Sequence, residues 1–361
     1  MDETAWDPLD VNMDEEDALD IVEPSISMNE ILSLPSSRGI IKSYEQIPEP
    51  IAIIDNSPSL AYLYKNPTFR ALLDRYKLGG LSSLAGTVWK QVDKKTIDEI
   101  RTALHDLSGG FAWKGEIELK SHDALTAQLK AHIFPLWPDG DERAAAPAFS
   151  LYLDDITEER RQFQRMYLGS LLEASLQKDN DTGKHVQRVN HYLKRLAEAI
   201  FHDPRWPQVD LDYIDDIGYL AAMHDVGKIG ISERIIYKPG PLTEEEWQEM
   251  REHPITGALI LASYPKRMAQ EIARSHHERW NGTGYPYNLM ETAIPLSARI
   301  VMIADVYDAL RMKRSYKPAF THEIAVEKIA GDSGTHFDPS LMEVFHRIAE
   351  DFRTIFDSNA D

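Results

Sequence analysis

The spacing of apolar positions changes once along this chain, from mixed periods to a helical period throughout. The apolar run 51–54 is closed by Asp55-Asn56-Ser57-Pro58, which predicts a strand entering a turn. Ile97, Ile100, Leu104 and Leu107 recur at helical spacing. Beyond Gly109-Gly110 the period drops to two. Trp113, Gly115, Ile117 and Leu119 alternate with polar residues, as do Leu125, Ala127, Leu129, Ala131 and Ile133, and then Phe149, Leu151 and Leu153. These segments predict three half-buried antiparallel strands, so residues 38–157 read as an α+β domain. In residues 158–178, Phe163, Met166, Tyr167, Leu171 and Leu172 form a helical stripe among charges. The stripe suits a signalling helix that pairs in a dimer, or a connector packed on its own domain. Two or three turns are too few to establish a heptad pattern. Residues 179–361 read as all helical.

Within 179–361 the informative positions are polar residues that fall on apolar stripes. Val186, Val189, Leu193, Leu196 and Ile200 mark one helix face, and His185 extends it by a turn, while His191 falls on another face. Ile214, Ile217 and Leu220 lead to His224, with Asp225 next and Gly227 as the expected helix end. Thr243-Glu244-Glu245-Glu246 is a capping box. Trp247 and Met250 mark that helix's stripe, and His253 continues it. Ile272 leads by four to His276, with His277 adjacent, and Ala298, Val301, Asp305 and Ala309 share a face. One such histidine is usually a hydrogen-bonded core residue. Five histidines and two aspartates turned inward in one domain would each cost several kcal/mol if uncompensated, and a metal cluster satisfies them together.

Composition narrows the metal chemistry. The chain of 361 residues has no cysteine. That excludes disulfides, zinc–thiolate sites and a cysteine nucleophile. Imidazole plus carboxylate suits iron, manganese, nickel or zinc better than calcium. Seven ligands exceed the needs of one ion that keeps an open position. Two ions are the minimum, with Asp225 as the natural bridge. Metals paired at about 3.5–4 Å favour attack on phosphorus.

The net charge is −20, but residues 1–37 hold eleven acids and no base. That stretch, ending in Pro35-Ser36-Ser37, is expected to be a disordered tail. The remainder carries only −9. Acidity argues against long nucleic acids, whose phosphates attract cations, and leaves a small phosphate ligand open. No apolar run is long enough for a membrane span, and the start lacks a basic n-region. A soluble cytoplasmic protein is expected.

Two stretches resemble known families. Pro50-Ile51-Ala52-Ile53-Ile54-Asp55, the Asn66…Phe69 pair and Asp154-Asp155-Ile156-Thr157-Glu158-Glu159-Arg160 resemble a PAS sensory domain. That resemblance implies ligand sensing or dimerisation. Neither flavin nor haem is expected: a flavin adduct needs a cysteine, and His105 and His132 lie off the apolar faces of their elements, as surface residues. His224-Asp225-Val226-Gly227-Lys228-Ile229-Gly230, His276-His277-Glu278-Arg279-Trp280 and Gly284-Tyr285-Pro286 resemble the HD-GYP domain. Pro239-Gly240-Pro241-Leu242-Thr243, the run 294–300, Asp305-Val306-Tyr307-Asp308-Ala309-Leu310 and Phe337-Asp338-Pro339 extend the match over nearly all of 179–361.

The resemblances imply a multidomain chain: an acidic tail (1–37), a PAS-like sensor (38–157), a connecting helix (158–178) and an all-α HD-type bundle (179–361). The HD-GYP resemblance implies a metal-dependent phosphodiesterase that hydrolyses cyclic di-GMP to linear pGpG, in some members on to GMP, through a metal-bridging hydroxide. Carried over position by position, the ligands are His185, His224, Asp225, His253, His276, His277 and Asp305, the set the stripes single out. Lys228 is implied beside the scissile phosphate, and Tyr285, Arg314 and Lys317 are implied to hold the nucleotide. Iron or manganese is the expected metal, with zinc or nickel as alternatives.

Departures from the family pattern surround this set. Asp181 stands where members with a third ion carry Glu, so two or three ions are expected, with Asp181 as the third-site ligand. Asn281 replaces an Asp, and Asn288 and Glu291 replace glycines. The segment 311–316 departs from the common text but keeps Arg314 and Tyr316. These changes bear on substrate and partners rather than on metal binding. They keep open a nonhydrolytic cyclic di-GMP receptor, or a module that binds a diguanylate cyclase through the GYP loop. An HD-type phosphohydrolase of another nucleotide is a third reading, against which the GYP text and Arg314…Lys317 speak. A homodimer through the PAS-like domain and the connecting helix is expected.

Overall fold

A computed structural model of the chain describes residues 35–57, 59–84, 94–105, 113–120, 124–137, 146, 148–178, 183–312 and 319–359. Most of the expected tail lies outside the described residues, as do Asp181, Arg314 and Lys317. The chain parts into two compact units between Thr157 and Glu158.

The first unit runs α1 (Pro35–Gln46), β1 (Ile51–Asp55), β2 (Tyr62–Lys65), α2 (Pro67–Arg75), α3 (Lys94–His105), β3 (Trp113–Leu119), β4 (Ala127–Leu136) and β5 (Ala148–Asp155). The strands form one antiparallel sheet in the order β2-β1-β5-β4-β3. Alternation decides which face is covered. Leu129, Ala131 and Ile133 of β4 and Phe149, Leu151 and Leu153 of β5 bury with Phe69, Leu72 and Leu73 of α2 and Ile100 and Leu104 of α3. Asn66 explains its pairing with Phe69. Its buried Oδ1 accepts from Phe69 N at 2.8 Å, capping α2, and from Ile51 N at 3.1 Å, tying the helix start to β1. The edge strand β2 has no period to read, because all four of its residues are half-buried. His132 lies on the face of β4 opposite Leu129, Ala131 and Ile133, half-buried beside Tyr152 and Phe134. Tyr152 is its direct cross-strand partner and shields the ring.

Helix α4 (Thr157–Leu176) leads into the second unit, followed by α5 (Gly183–Ile200), α6 (Leu211–Leu220), α7 (Glu233–Ile236), α8 (Glu244–Met250), α9 (His253–Ile260) and α10 (Arg267–Ser275). Then come α11 (Leu296–Arg311), α12 (His322–Gly331), α13 (Pro339–Arg347) and α14 (Ala349–Ser358). The stripe of α5 buries Val186, Val189, Leu193, Leu196 and Ile200, each contributing about 1.5–3 kcal/mol. In α11, Ala298, Ile300, Val301, Met302, Ile303 and Ala304 are all buried. A helix apolar around its circumference belongs in the core, so the aspartates it carries project from the middle of the unit.

The stripe of α4 divides. Leu168 is buried in the second unit's core, and Leu171, Leu172 and Leu176 pack against it, whereas Phe163 and Met166 are each 70% exposed. Arg161 pairs with Asp212 and Arg165 with Asp215, both at 2.9 Å, fastening the helix to its own unit.

Two local expectations are corrected. Helix α6 ends at Leu220, and Gly227 sits inside a 3₁₀ turn (Val226–Gly230) rather than at a helix end. The glycine is required by close approach: a Cβ there would lie 1.9 Å from the His253 carbonyl oxygen and 2.5 Å from Gly257 N. Backbone atoms cannot rotate away. Gly227→Ala is therefore expected to cost about 1–3 kcal/mol, measured as a lower thermal midpoint. The second correction concerns His253, which opens α9 instead of continuing α8. Trp247 is exposed, so its stripe is not a core stripe. A turn after Met250 reorients the chain, and the spacing across that turn imitates one continuous helix.

Candidate metal centre

The start of α5, the turns after α6, the start of α9, the end of α10 and the middle of α11 converge. They bring together all seven residues singled out on the stripes. Asp225, His253, His276 and His277 form one group and His185, His224 and Asp305 another, the ligand atoms of each lying within 4.8 Å of one another. Asp225 joins the two. Its Oδ1 is 3.3 Å from His253 Nε2 and 3.6 Å from His276 Nε2, and its Oδ2 is 3.2 Å from His224 Nε2. Across the second group, His185 Nε2 lies 3.8 Å from Asp305 Oδ1.

The rings are held from behind. His224 Nδ1 is 2.7 Å from Ala221 O, His253 Nδ1 is 2.6 Å from Met250 O, and His276 Nδ1 is 3.0 Å from Ala273 O. A carbonyl only accepts, so each Nδ1 carries a proton and each Nε2 faces the cluster. This is how metal-binding imidazoles are oriented. His224 Nε2 and Asp225 Oδ1 are buried without a hydrogen-bond partner. Such atoms are costly unless something is coordinated there. The donor set therefore fits two ions with nitrogen and oxygen ligands.

Electrostatics follow from this crowding. Burial disfavours a proton on His224, but the Asp225 carboxylate outweighs it and pushes the ring up to about 10. Burial also works against charge on Asp225, yet Lys228 and His224 hold it well below the usual carboxylate range. His276 is lowered by burial, and His277 is lowered far by burial and then by its histidine neighbours, which leaves both as neutral donors. Lys228 Nζ is 2.8 Å from Asp225 Oδ2.

Tyr285 closes one side. Its ring stacks on His277 with centroids 4.6 Å apart, its N donates to His277 O at 3.1 Å, and the Arg251 guanidinium lies 5.7 Å from the ring. The loop that carries Tyr285 is folded tightly onto the ligand segment. A Cβ on Gly284 would meet Glu278 Cα at 2.4 Å. Asn281 Oδ1 accepts from Thr283 N at 3.1 Å and from Thr283 Oγ1 at 2.7 Å, a turn that needs an acceptor but no charge. Asn288 and Glu291 have φ of 55° and 48°, the left-handed region that favours glycine.

Sequence reasoning missed the residues behind these side chains. Buried Glu278 accepts from Tyr287 N at 2.8 Å and Leu289 N at 2.9 Å, anchoring the loop. Buried Asp308 meets His185 Nδ1 at 2.8 Å. The available signal was spacing: Asp308 follows Asp305 by three, and Glu278 directly follows the histidine pair. Arg314, Lys317 and Asp181, singled out with these, lie outside the described residues. No helix among the described residues is long and apolar enough to cross a membrane.

Residues 177–341 match a family model described as an HD domain. A Vibrio cholerae protein named cyclic di-GMP phosphodiesterase is 33% identical over 318 residues, covering 85% of this chain and 60% of that protein. A second, named probable cyclic di-GMP phosphodiesterase, is 40% identical over 204 residues, covering 54% of this chain and 46% of that protein. A third from the same organism, named 3′3′-cGAMP-specific phosphodiesterase 2, is 39% identical over 198 residues, covering 54% of this chain and 37% of that protein. The chain thus spans between 37% and 60% of the length of these relatives.

Proposed function

We propose that the second unit is an HD-type, metal-dependent phosphodiesterase of cyclic dinucleotides, and that its substrate is cyclic di-GMP, opened to linear pGpG. The observation that carries this reading is the convergence of seven imidazole and carboxylate ligands on two positions joined by Asp225. The relatives named for cyclic di-GMP and for 3′3′-cGAMP support the substrate class. The bound ions, iron or manganese, supply acidified water and positive charge against a phosphate.

The chain's own residues do the rest. The Nδ1 atoms of His224, His253 and His276 are each committed to a carbonyl, which turns every Nε2 toward the cluster, where an ion would take the place of the proton that Asp225 favours on His224. Hydrolysis breaks one bond between phosphorus and a sugar oxygen, forms one to the oxygen of water, and leaves a proton on the departing oxygen. Lys228 Nζ, already at the cluster, stabilises charge on that oxygen. Tyr285, stacked on His277, is assigned to the nucleotide by resemblance. Arg314 and Lys317 are assigned to the phosphates by resemblance. In the same reading the first unit is a PAS-like sensor. The chain pairs as a cytoplasmic homodimer through that sensor and α4, whose Phe163 and Met166 are exposed.

The test is turnover by anaerobically purified full-length protein loaded with iron, manganese or zinc in turn, against cyclic di-GMP and mixed cyclic GMP–AMP. Conversion of cyclic di-GMP to pGpG is expected. Faster conversion of the mixed substrate would reassign the specificity, as the 3′3′-cGAMP relative suggests. Tight binding without turnover under every metal would instead mark a receptor, or a module for a diguanylate cyclase.

A further inference from the structure

Behind the cluster lies the carboxylate of Asp308, which has no exposed surface. Its Oδ2 lies 2.8 Å from His185 Nδ1 and accepts from Arg188 Nη2 at 3.0 Å. Its Oδ1 accepts from Arg188 Nε at 2.7 Å and from Tyr192 OH at 3.2 Å. With both oxygens so engaged, Asp308 has no lone pair directed at an ion. Arg188 is itself fixed, through Nη1 to Asn359 O at 3.0 Å and Nη2 to Met312 Sδ at 2.9 Å. The pair Arg188–Asp308 therefore ties the end of α14 and the end of α11 to the third residue of α5, which is His185.

That position matters because helix ends fray. His224, His253 and His276 are oriented by carbonyls of their own local chain. His185, near the start of α5, is held instead by a charge 123 residues away. A carboxylate behind a metal-binding imidazole also raises the basicity of the ring, and losing such a partner typically costs about 10–100-fold in metal affinity.

We infer that Asp308 is a positioning residue that sets the affinity of one metal position, that of His185, His224 and Asp305, without acting on the other. The inference rests on the two-metal reading proposed above. Metal content and manganese titration of the full-length Asp308→Asn protein test it. Wild type is expected to hold two ions. The variant is expected to keep the ion at Asp225, His253, His276 and His277 and to bind the second about 10–100-fold more weakly. Asp308→Asn leaves the Arg188 charge buried and unpaired, which is strongly destabilising. The double variant Arg188→Met/Asp308→Asn removes both charges and is expected to show the same selective loss. Should neither fold, Tyr192→Phe, which removes one bond to Asp308 and no charge, is expected to weaken only the second ion. Two ions bound as tightly as in wild type by the folded variants would overturn the inference. A wild type that binds no ion would overturn the metal centre itself, which is a separate result.

Discussion

Asp225→Asn is expected to reduce turnover of cyclic di-GMP by about a thousandfold or more, a loss of several kcal/mol of transition-state stabilisation. Asparagine has nearly the same shape, so the fold is preserved. Its chemistry is wrong in two respects. It carries no negative charge between the two groups of side chains that Asp225 spans, with Oδ1 toward His253 and His276 and Oδ2 toward His224. Its amide also places an N–H where either an inward imidazole Nε2 or Lys228 Nζ now lies. Steady-state rates with each metal, beside circular dichroism of the variant, check the prediction. Undiminished turnover in a folded variant would remove Asp225 from the mechanism.

Lys228→Met is expected to lower kcat by about 10²–10³-fold with a smaller change in KM, while both ions remain bound. The ammonium group touches the cluster through Asp225 at 2.8 Å, and its side chain is only 17% exposed, so its charge is poorly screened. A cation held there strengthens its contact as the departing sugar oxygen gains charge, which is a transition-state rather than a ground-state contribution. Methionine keeps the length and loses the charge. A rise in KM with kcat unchanged would recast Lys228 as a uniform binding contact. Loss of metal would recast it as a structural counter-ion of Asp225.

The convergence of the seven histidines and aspartates was legible because a helix registers its inward face in the spacing of its apolar residues. His185 continues the α5 stripe, and Asp305 sits on the same face of α11 as Ala298 and Val301. The same logic misplaced His253, since spacing across the turn after Met250 is indistinguishable from spacing within a helix. It also misread Gly227, whose role depends on where the His253 carbonyl comes to rest in space. Arg188 and Asp308, separated by 120 residues, left no periodic trace of their pairing. In the first unit the alternating strands β3, β4 and β5 were readable, while β2, half-buried on both faces, was not. Contacts made by burial on one face write a period into the sequence, and contacts between single distant side chains do not.

The central claim is that two ions sit within this set of side chains. Anomalous diffraction from crystals of the full-length protein, purified without oxygen and loaded with manganese or iron, tests it most directly. Two peaks are predicted, one against Asp225, His253, His276 and His277 and one against His185, His224 and Asp305, with Asp225 reaching both. No peak at these residues, or a single one that excludes Asp225, would contradict the account.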